Sequence, residues 1–180
     1  MRQVPQPDVS RMVDMAGHPV VVGVVPGQPE LVALTAASWA RAVGAPALYL
    51  AYADTSRYVV EELDDGSVRH APIDPDTADD RWREIHAELR EQLAATLAGA
   101  GVPWHLMYLA GRPDRALTHL ARAVDAAVIV VGTRAPGGAA RMREFLEGSV
   151  AVHLAHHQHR PVLTVPLSVV DWKDIGAPWR

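Results

Sequence analysis

Short apolar segments alternate with stretches of helical periodicity along this chain, and the alternation limits the possible folds more than any other feature. The segments that predict strands are residues 19–25, 47–52, 102–109, 127–131 and 161–166. The stretches that predict helices are residues 31–43, 81–100, 111–124 and 150–159. Strands that alternate with helices form a parallel sheet covered on both faces and joined by right-handed crossovers. The sequence therefore predicts a three-layer α/β fold, in which ligands bind beyond the carboxyl ends of the strands.

One segment, residues 54–80, interrupts the alternation, is acidic and bears prolines. Within it, Tyr58-Val59-Val60 and residues 68–73 flank Asp65-Gly66, a pair typical of a two-residue hairpin turn. We interpret the segment as an insertion that forms either a hairpin or a mobile flap. The acidic run in this segment is typical of a solvated loop rather than of an acid/base or cation site. It consists of Glu61, Glu62, Asp64 and Asp65.

Composition sets the size and the class of the protein. With 180 residues, of which 49% are hydrophobic, the chain is long and apolar enough for one domain. We assign this domain to residues 18–166, between a flexible N-terminal tail, 1–17, and a C-terminal tail, 167–180. A net charge of −4 disfavours a general nucleic-acid binder, because such a protein needs a basic face. The absence of cysteine excludes disulfides, thiolate metal sites and a cysteine nucleophile.

The polar N-terminus and the short apolar runs also bear on localisation. Residues 1–17 lack the apolar core of a signal peptide. No apolar run approaches the roughly 20 residues needed to span a bilayer. We therefore expect a cytoplasmic protein with no membrane or nucleic-acid partner.

A glycine-rich loop follows the fourth predicted strand and leads to the last predicted helix. Its glycines are Gly132, Gly137, Gly138 and Gly148. Glycine lets backbone N–H groups approach a ligand closely, and Ser149 at the helix start adds a hydroxyl and free amides that favour a phosphate. The arginines that can add positive charge are Arg134, Arg141 and Arg143. The spacing matches neither a Walker loop nor a dinucleotide-binding loop. On these residues alone, a flexible connector with Ser149 as an ordinary N-cap is an equal alternative.

Several further segments resemble the universal stress protein family. The most specific is Asp125-Ala126-Ala127-Val128-Ile129-Val130-Val131-Gly132-Thr133-Arg134, and Gly148-Ser149-Val150 with Arg160-Pro161-Val162-Leu163 completes it. The other matching segments are Pro26-Gly27-Gln28-Pro29-Glu30, Gly44-Ala45-Pro46 and Ala110-Gly111-Arg112-Pro113. The resemblance extends over residues 18–166.

The resemblance implies a fold and a ligand. It implies a five-stranded, mostly parallel sheet of the adenine nucleotide α-hydrolase-like type, with homodimerisation through the last strand. In one branch of the family, ATP binds at a loop of the pattern glycine, two residues, glycine, nine residues, glycine, serine or threonine. Gly138, nine residues and Gly148-Ser149 satisfy the second half of that pattern, but Ala135 stands where the first glycine belongs. Measured from Gly132, the loop is three residues longer than the family pattern.

A second departure concerns the aspartate that follows the first strand in nucleotide-binding members. Its place falls on Val25 or Pro26, whose side chains cannot accept a hydrogen bond from adenosine, although the Val25 backbone can contact a ligand. Tyr52, at the end of the second strand, can stack on a purine or pack in the core. The binding residues that the resemblance implies for ATP, with or without Mg²⁺, are Val25, Tyr52, Gly132, Arg134, Gly137, Gly138, Gly148, Ser149 and Val150.

The remaining polar residues give no recognisable catalytic or metal site. His153, His156 and His157 share a helical face by spacing, but histidines near a helix C-terminus are also favoured by the helix dipole. No serine lies in a nucleophile elbow, and we name no catalytic residue.

Two functions therefore compete in the sequence. The first is a regulatory or stress-response module that binds ATP and hydrolyses it slowly at most. The second is a dimeric interaction module of the same fold that binds no nucleotide. A hydrolase of phosphate esters is a weaker third hypothesis, because the sequence shows no positioned base.

Overall fold

A computed structural model describes residues 8–76, 80–133 and 150–167 of the chain. After a short 3₁₀ helix, Val9–Arg11, the strands are β1 Val20–Gly23, β2 Leu48–Asp54, β3 Arg57–Glu62, β4 Val68–Pro72, β5 Trp104–Ala110, β6 Val128–Gly132 and β7 Val162–Val165. The α-helices are α1 Leu31–Val43, α2 Arg81–Thr96, α3 Pro113–Ala123 and α4 Val150–His157.

Five strands form one sheet in the order β5-β2-β1-β6-β7, and every neighbouring pair is parallel. In the central strand, Val20 pairs with Leu48 of β2 on one side and with Val128 of β6 on the other. The chain builds outward from β1 through β2 to β5, and then returns to add β6 and β7 on the opposite side. The structure confirms the predicted five-stranded α/β fold, and the order of the strands reverses between β1 and β6.

Helices cover both faces of the sheet, which explains why the central strand is apolar throughout. Val20, Val21 and Val22 are each 0% exposed, because successive side chains of β1 point to opposite faces. On one face, Val20 and Val22 pack with α1 and α2. On the other face, Val21 packs with α3 and α4. Two separate apolar cores therefore hold the sheet in place.

The insertion after β2 is an antiparallel hairpin of β3 and β4. Its turn differs from the two-residue turn that the sequence predicts. The N–H of Leu63 donates to the carbonyl of Ser67, and the N–H of Gly66 donates to the carbonyl of Leu63, both at 3.0 Å. The loop is thus Asp64-Asp65-Gly66, with Gly66 in the left-handed region at φ +83°. Such three-residue loops need glycine at their last position.

The hairpin lies against β5, at the edge of the described sheet, without pairing with it. Its tip rests on α3, where a Cβ on Gly66 would come within 2.6 Å of Leu120 Cδ1. The acidic run is partly paired, because Glu61 forms an ion pair with Arg69 and Glu62 lies 3.2 Å from His119 Nδ1. A folded hairpin that covers a sheet edge also protects it from pairing with another chain.

Five ring-bearing residues join the hairpin, β2, β5 and α2; we call them the aromatic cluster. They are Tyr52, His70, Trp82, His86 and Tyr108. Tyr108 contacts each of the others, with ring centroids 5.4 to 6.3 Å apart. Its hydroxyl donates a 2.6 Å hydrogen bond to the buried carboxylate of Asp54. Burial, and then this bond to Asp54, raises the pKa of Tyr108.

Because His86 lies in the aromatic cluster, we expect the free energy of unfolding to depend on pH. Burial, and then the neighbouring Arg90 guanidinium, holds the pKa of His86 below its ordinary value. The unfolded chain takes up a proton near pH 6.5 while the folded chain resists it. Neutral His86 therefore contributes its whole share of the unfolding free energy above about pH 6.5. That contribution is lost as the pH falls toward the lower pKa of His86 in the folded protein. We expect His86→Gln to reduce the loss of unfolding free energy between about pH 7.5 and about pH 5.5.

Urea denaturation at both pH values measures this difference. The matched control is His156→Gln, because His156 is exposed at the end of α4. We expect the control to keep the pH dependence of the wild type. An unchanged pH dependence in His86→Gln would contradict the assignment.

Candidate functional site

The strand order reverses between β1 and β6, and open α/β sheets form a crevice at the carboxyl ends of such a strand pair. Helix α1, which follows β1, and helix α4, which follows β6 in sequence, pack on opposite faces of the sheet. In open α/β sheets ligands bind at this position. The described walls of the crevice are residues 24–28 after β1 and residues 132–133 at the end of β6.

The segment after β1 is held in shape by two glutamines. Gln28 Oε1 accepts a hydrogen bond from the N–H of Val25 at 3.2 Å. From α2, Gln92 Oε1 accepts from the N–H of Gly27 at 3.4 Å, and Gln92 Nε2 donates to the carbonyl of Gln28 at 3.0 Å. Gly27 permits this tight turn because it adopts a φ of +71°. The loop is therefore braced from within by Gln28 and from α2 by Gln92.

Gly132 lies directly against the Gln28 side chain. A Cβ at position 132 would come within 2.8 Å of Gln28 Nε2 and 2.8 Å of Leu167 Cδ1. It would also come within 3.0 Å of Val32 Cγ2. Glycine is required here for close approach between parts of this chain. Side chains of the protein itself thus occupy part of the space beside Gly132, where the family resemblance implies a ligand.

The end of β6 is tied to the end of β7 by Thr133. Its N–H donates to the carbonyl of Val165 at 2.8 Å, and its Oγ1 accepts from the N–H of Leu167 at 2.8 Å. These bonds fix the point from which the glycine-rich segment leaves the sheet. The chain is next described at Val150, where α4 begins.

The structure brings some of the predicted residues together. Val25 and Gly132 lie on the two walls of the crevice, and the side chain of Gln28 lies against both of them. Tyr52 belongs to β2, the next strand, where its ring packs edge-on against Tyr108 and beside the core under α1 and α2. Val150 packs against the other core at the start of α4. Outside the described residues lie Arg134, Gly137, Gly138, Gly148 and Ser149.

A model of the universal stress protein family matches residues 18–166 of the chain. The chain belongs to that family. The match includes all seven strands and the crevice between β1 and β6. No match is found among curated proteins.

Solved structures of universal stress proteins share the fold. One from Archaeoglobus fulgidus is 22% identical with a TM-score of 0.58, over 84% of this chain and 95% of the other. A structure of the Archaeoglobus fulgidus protein in complex with dAMP is 22% identical with a TM-score of 0.54, over 84% of this chain and 99% of the other. A universal stress protein in complex with cAMP is 26% identical with a TM-score of 0.57, over 85% of this chain and 99% of the other.

Part of the sequence that resembles universal stress proteins has a structural role at the opposite end of the sheet. Arg160 is buried before β7, and its Nε donates to the carbonyl of Ala126 at 2.6 Å. Its Nη2 lies 3.5 Å from Asp125 Oδ1, and Asp125 adopts a φ of +51°. Burial lowers the pKa of Arg160, but a guanidinium stays charged at neutral pH. Arg160 and Asp125 therefore lie at the amino end of β6, and the crevice lies at its carboxyl end.

The sequence of this universal stress protein does not by itself identify Gln28 and Gln92 as residues of the candidate site. Gln28 carries a signal, since it is a polar residue in a Pro-Gly turn directly after a buried strand. Gln92 has no such signal in the sequence, because it belongs to α2, which is distant in sequence from the loop after β1. The two side chains supply neutral donors and acceptors to the β1 wall of the crevice, which suits ligand binding better than proton transfer.

The described residues of this family member show neither a metal cluster nor a membrane span. His153 and His157 lie near each other on α4, with ring centroids 6.0 Å apart. Within residues 8–76, 80–133 and 150–167, no three histidine, cysteine or acidic side chains come together as a metal site. No helix in the same ranges is long and apolar enough to cross a bilayer.

Proposed function

We propose that this universal stress protein binds an adenine nucleotide, ATP, in the crevice between β1 and β6, and acts as a regulatory module in a stress response. One observation carries the proposal. The glycine-rich loop lies in sequence between Thr133, at the end of β6 beside the crevice, and Val150, where α4 begins. In our proposal, the backbone amides of this loop and the N-terminal end of α4 bind the phosphates.

The spacing within the segment and a bound relative support the same proposal. Gly138 and Gly148-Ser149 keep the nine-residue spacing of the ATP-binding branch. The relative at 26% identity was solved with cAMP, an adenine nucleotide. In our proposal the amides of Gly137, Gly138, Ser149 and Val150 and the Ser149 hydroxyl hold the phosphates, with Mg²⁺ as counter-ion. Gly148 permits the turn into the helix, and Arg134 adds a charge-assisted contact.

The adenosine end of the ligand would lie along β1 and β2. We propose that the Val25 backbone and the Gln28 amide replace the aspartate that other nucleotide-binding members carry after this strand. The amide has both a donor and an acceptor, so it can pair with the polar groups of ribose or adenine. Gly132 forms the opposite wall, and Tyr52 would offer its ring to the base from β2. We propose no catalytic residue and slow hydrolysis at most.

We also propose that the protein forms a homodimer through β7. This strand pairs with β6 and has no second partner within the described sheet. Val162 and Leu163 are only partly buried there, and Thr164 is exposed. An open strand edge with partly buried apolar side chains is suited to pairing with a second copy.

The second candidate function is a module of the same fold that binds no nucleotide. The contact of Gln28 and Leu167 with Gly132 favours it, because both side chains fill space at the crevice. A nucleotide and this packing can coexist if the ligand lies above Gln28 rather than in its place. Whether ATP binds therefore decides between the two candidates, and the location of bound ATP tests the proposed site.

Chemical shift mapping with ATP and Mg²⁺ tests the location and the part played by Gln28. We expect the amide signals of Val25, Gln28, Gly132 and Val150 to move in a saturable way. We expect Gln28→Leu to weaken binding by about three- to tenfold, the worth of one hydrogen bond. The control Arg122→Gln alters an exposed arginine on α3 and should leave the affinity unchanged. Saturable shifts confined to residues outside the crevice would contradict the proposed site.

A further inference from the structure

A second cleft lies between the hairpin and α3, at the β5 side of the sheet. Its cavity volume is about 240 Å³, slightly below the roughly 300 Å³ at which small-molecule pockets usually begin, so it suits a small ligand. Its inner surface is apolar and is formed by Val68, Leu109 and Ala116. Tyr58 and Val59 of β3 form an outer wall. Strand β2 and the central strand β1 separate this cleft from β6, so it is distinct from the crevice.

Two arginines stand at the mouth of the cleft, and they differ in their partners. Arg112 is engaged, because its Nε and Nη2 donate to the carboxylate of Asp114 at 3.1 and 2.8 Å. Arg115 is exposed, and among residues 8–76, 80–133 and 150–167 no carboxylate pairs with its guanidinium. A guanidinium beside an apolar surface is a ready partner for a carboxylate or a similar anion.

His119 adds a polar group to the wall of the cleft. Its Nδ1 lies 3.2 Å from Glu62 Oε2, which fixes the ring between α3 and the hairpin. Its Nε2 is buried and has no hydrogen-bond partner among the described residues. Buried polar atoms are usually paired, so one left unpaired beside a cleft calls for a bound molecule or water.

We propose that this cleft binds a small amphipathic anion, an apolar body that carries one acidic group. The apolar body would rest on Leu109 and Ala116, and the acidic group would meet the Arg115 guanidinium. The chemistry of the lining favours this class, because apolar walls with a few convergent polar groups are the usual composition of a ligand site. The hairpin forms the outer wall, so the insertion would create a binding site separate from that proposed for the nucleotide.

Two fluorescent naphthylamines test the proposal on the intact protein. The anionic probe is 8-anilinonaphthalene-1-sulfonate, and the neutral probe of the same shape is N-phenyl-1-naphthylamine. We expect Arg115→Gln to weaken binding of the anionic probe by about three- to tenfold, as for one charge-assisted contact, and to leave the neutral probe unaffected. We expect Ala116→Leu to weaken both probes, because it fills the inner surface. Arg122→Gln, which changes an exposed arginine on the same helix, should alter neither.

The controls separate this cleft from other causes of probe fluorescence. Circular dichroism must show the same thermal transition for Arg115→Gln as for the wild type, so that the comparison is between folded proteins. Saturating ATP should leave the anionic probe bound, because the proposed nucleotide site lies elsewhere. Displacement of the probe by ATP, or equal affinity of Arg115→Gln and wild type for the anionic probe, would overturn the proposal.

Discussion

Gly132→Ala is expected to lower the free energy of unfolding by roughly 1–3 kcal/mol, the usual cost of overpacking a filled site. The added Cβ would approach three side chains, those of Gln28, Val32 and Leu167, at 2.8 to 3.0 Å. Such distances are too short for an ordinary carbon contact, so the side chains of Gln28 and Leu167 must shift. We therefore also expect weaker nucleotide binding from this variant.

A double-mutant cycle identifies the cause of the loss. Gln28→Ala removes the amide that meets the new Cβ, while Leu167 and Val32 remain. If the contact with Gln28 matters, the double variant should be more stable than the sum of the two single changes predicts. Urea denaturation supplies the four free energies. A Gly132→Ala protein within about 0.5 kcal/mol of the wild type, a difference typical of harmless surface changes, would contradict the packing at this strand end.

Arg160→Met is expected to cost about 2–3 kcal/mol of unfolding free energy, because the buried carbonyl of Ala126 loses a charge-assisted hydrogen bond. The Arg160 side chain is 6% exposed, and its 2.6 Å bond to Ala126 joins the start of β7 to the segment before β6. Methionine preserves much of the apolar volume of the arginine stem, so the change reports mainly on the lost donors. The crevice proposed for the nucleotide lies at the other end of the strands, so the affinity for ATP should not change.

The matched control for this change is Arg122→Met, since Arg122 is exposed on α3. Both variants are measured by urea denaturation and by ATP titration. We expect Arg122→Met to remain within about 0.5 kcal/mol of the wild type, as is usual for exposed sites. If Arg160→Met also changed the free energy of unfolding by less than about 0.5 kcal/mol, the buried hydrogen bond of Arg160 would contribute little to stability.

Those features of the fold that depend on local chemistry can be predicted from the sequence. Helix α1 is found at Leu31–Val43 as expected, because an alanine-rich stretch is followed by Gly44, which adopts the left-handed conformation that ends a helix. The buried runs at β1 and β6 also lie where their continuous apolar character predicts them. Helix α2 ends at Thr96, earlier than predicted, because the chain turns at Leu97, before Gly99 and Gly101.

The shape of the crevice could not be predicted, because distant parts of the chain determine it. The contact between Gln28 and Gly132 needs β1 and β6 side by side, and the brace from Gln92 needs α2 above the loop. Neither relation has a local signature. The hairpin shows the same limit on a smaller scale, since Asp65-Gly66 predicts the turn while Leu63 and Ser67 determine its length. Thus patterns identify elements and motifs, and the packing of side chains decides what space is left for a ligand.

The central claim is that this family member binds an adenine nucleotide at the reversal of its strand order. Isothermal titration of the wild-type protein with ATP and Mg²⁺, after any bound nucleotide has been stripped, tests it most directly. The account predicts saturable heat at one nucleotide per chain, reduced in Gln28→Leu and unchanged in Arg122→Gln. A stripped, folded protein that gives no binding heat with ATP or with AMP at any temperature tested would contradict it, and would favour the interaction module instead.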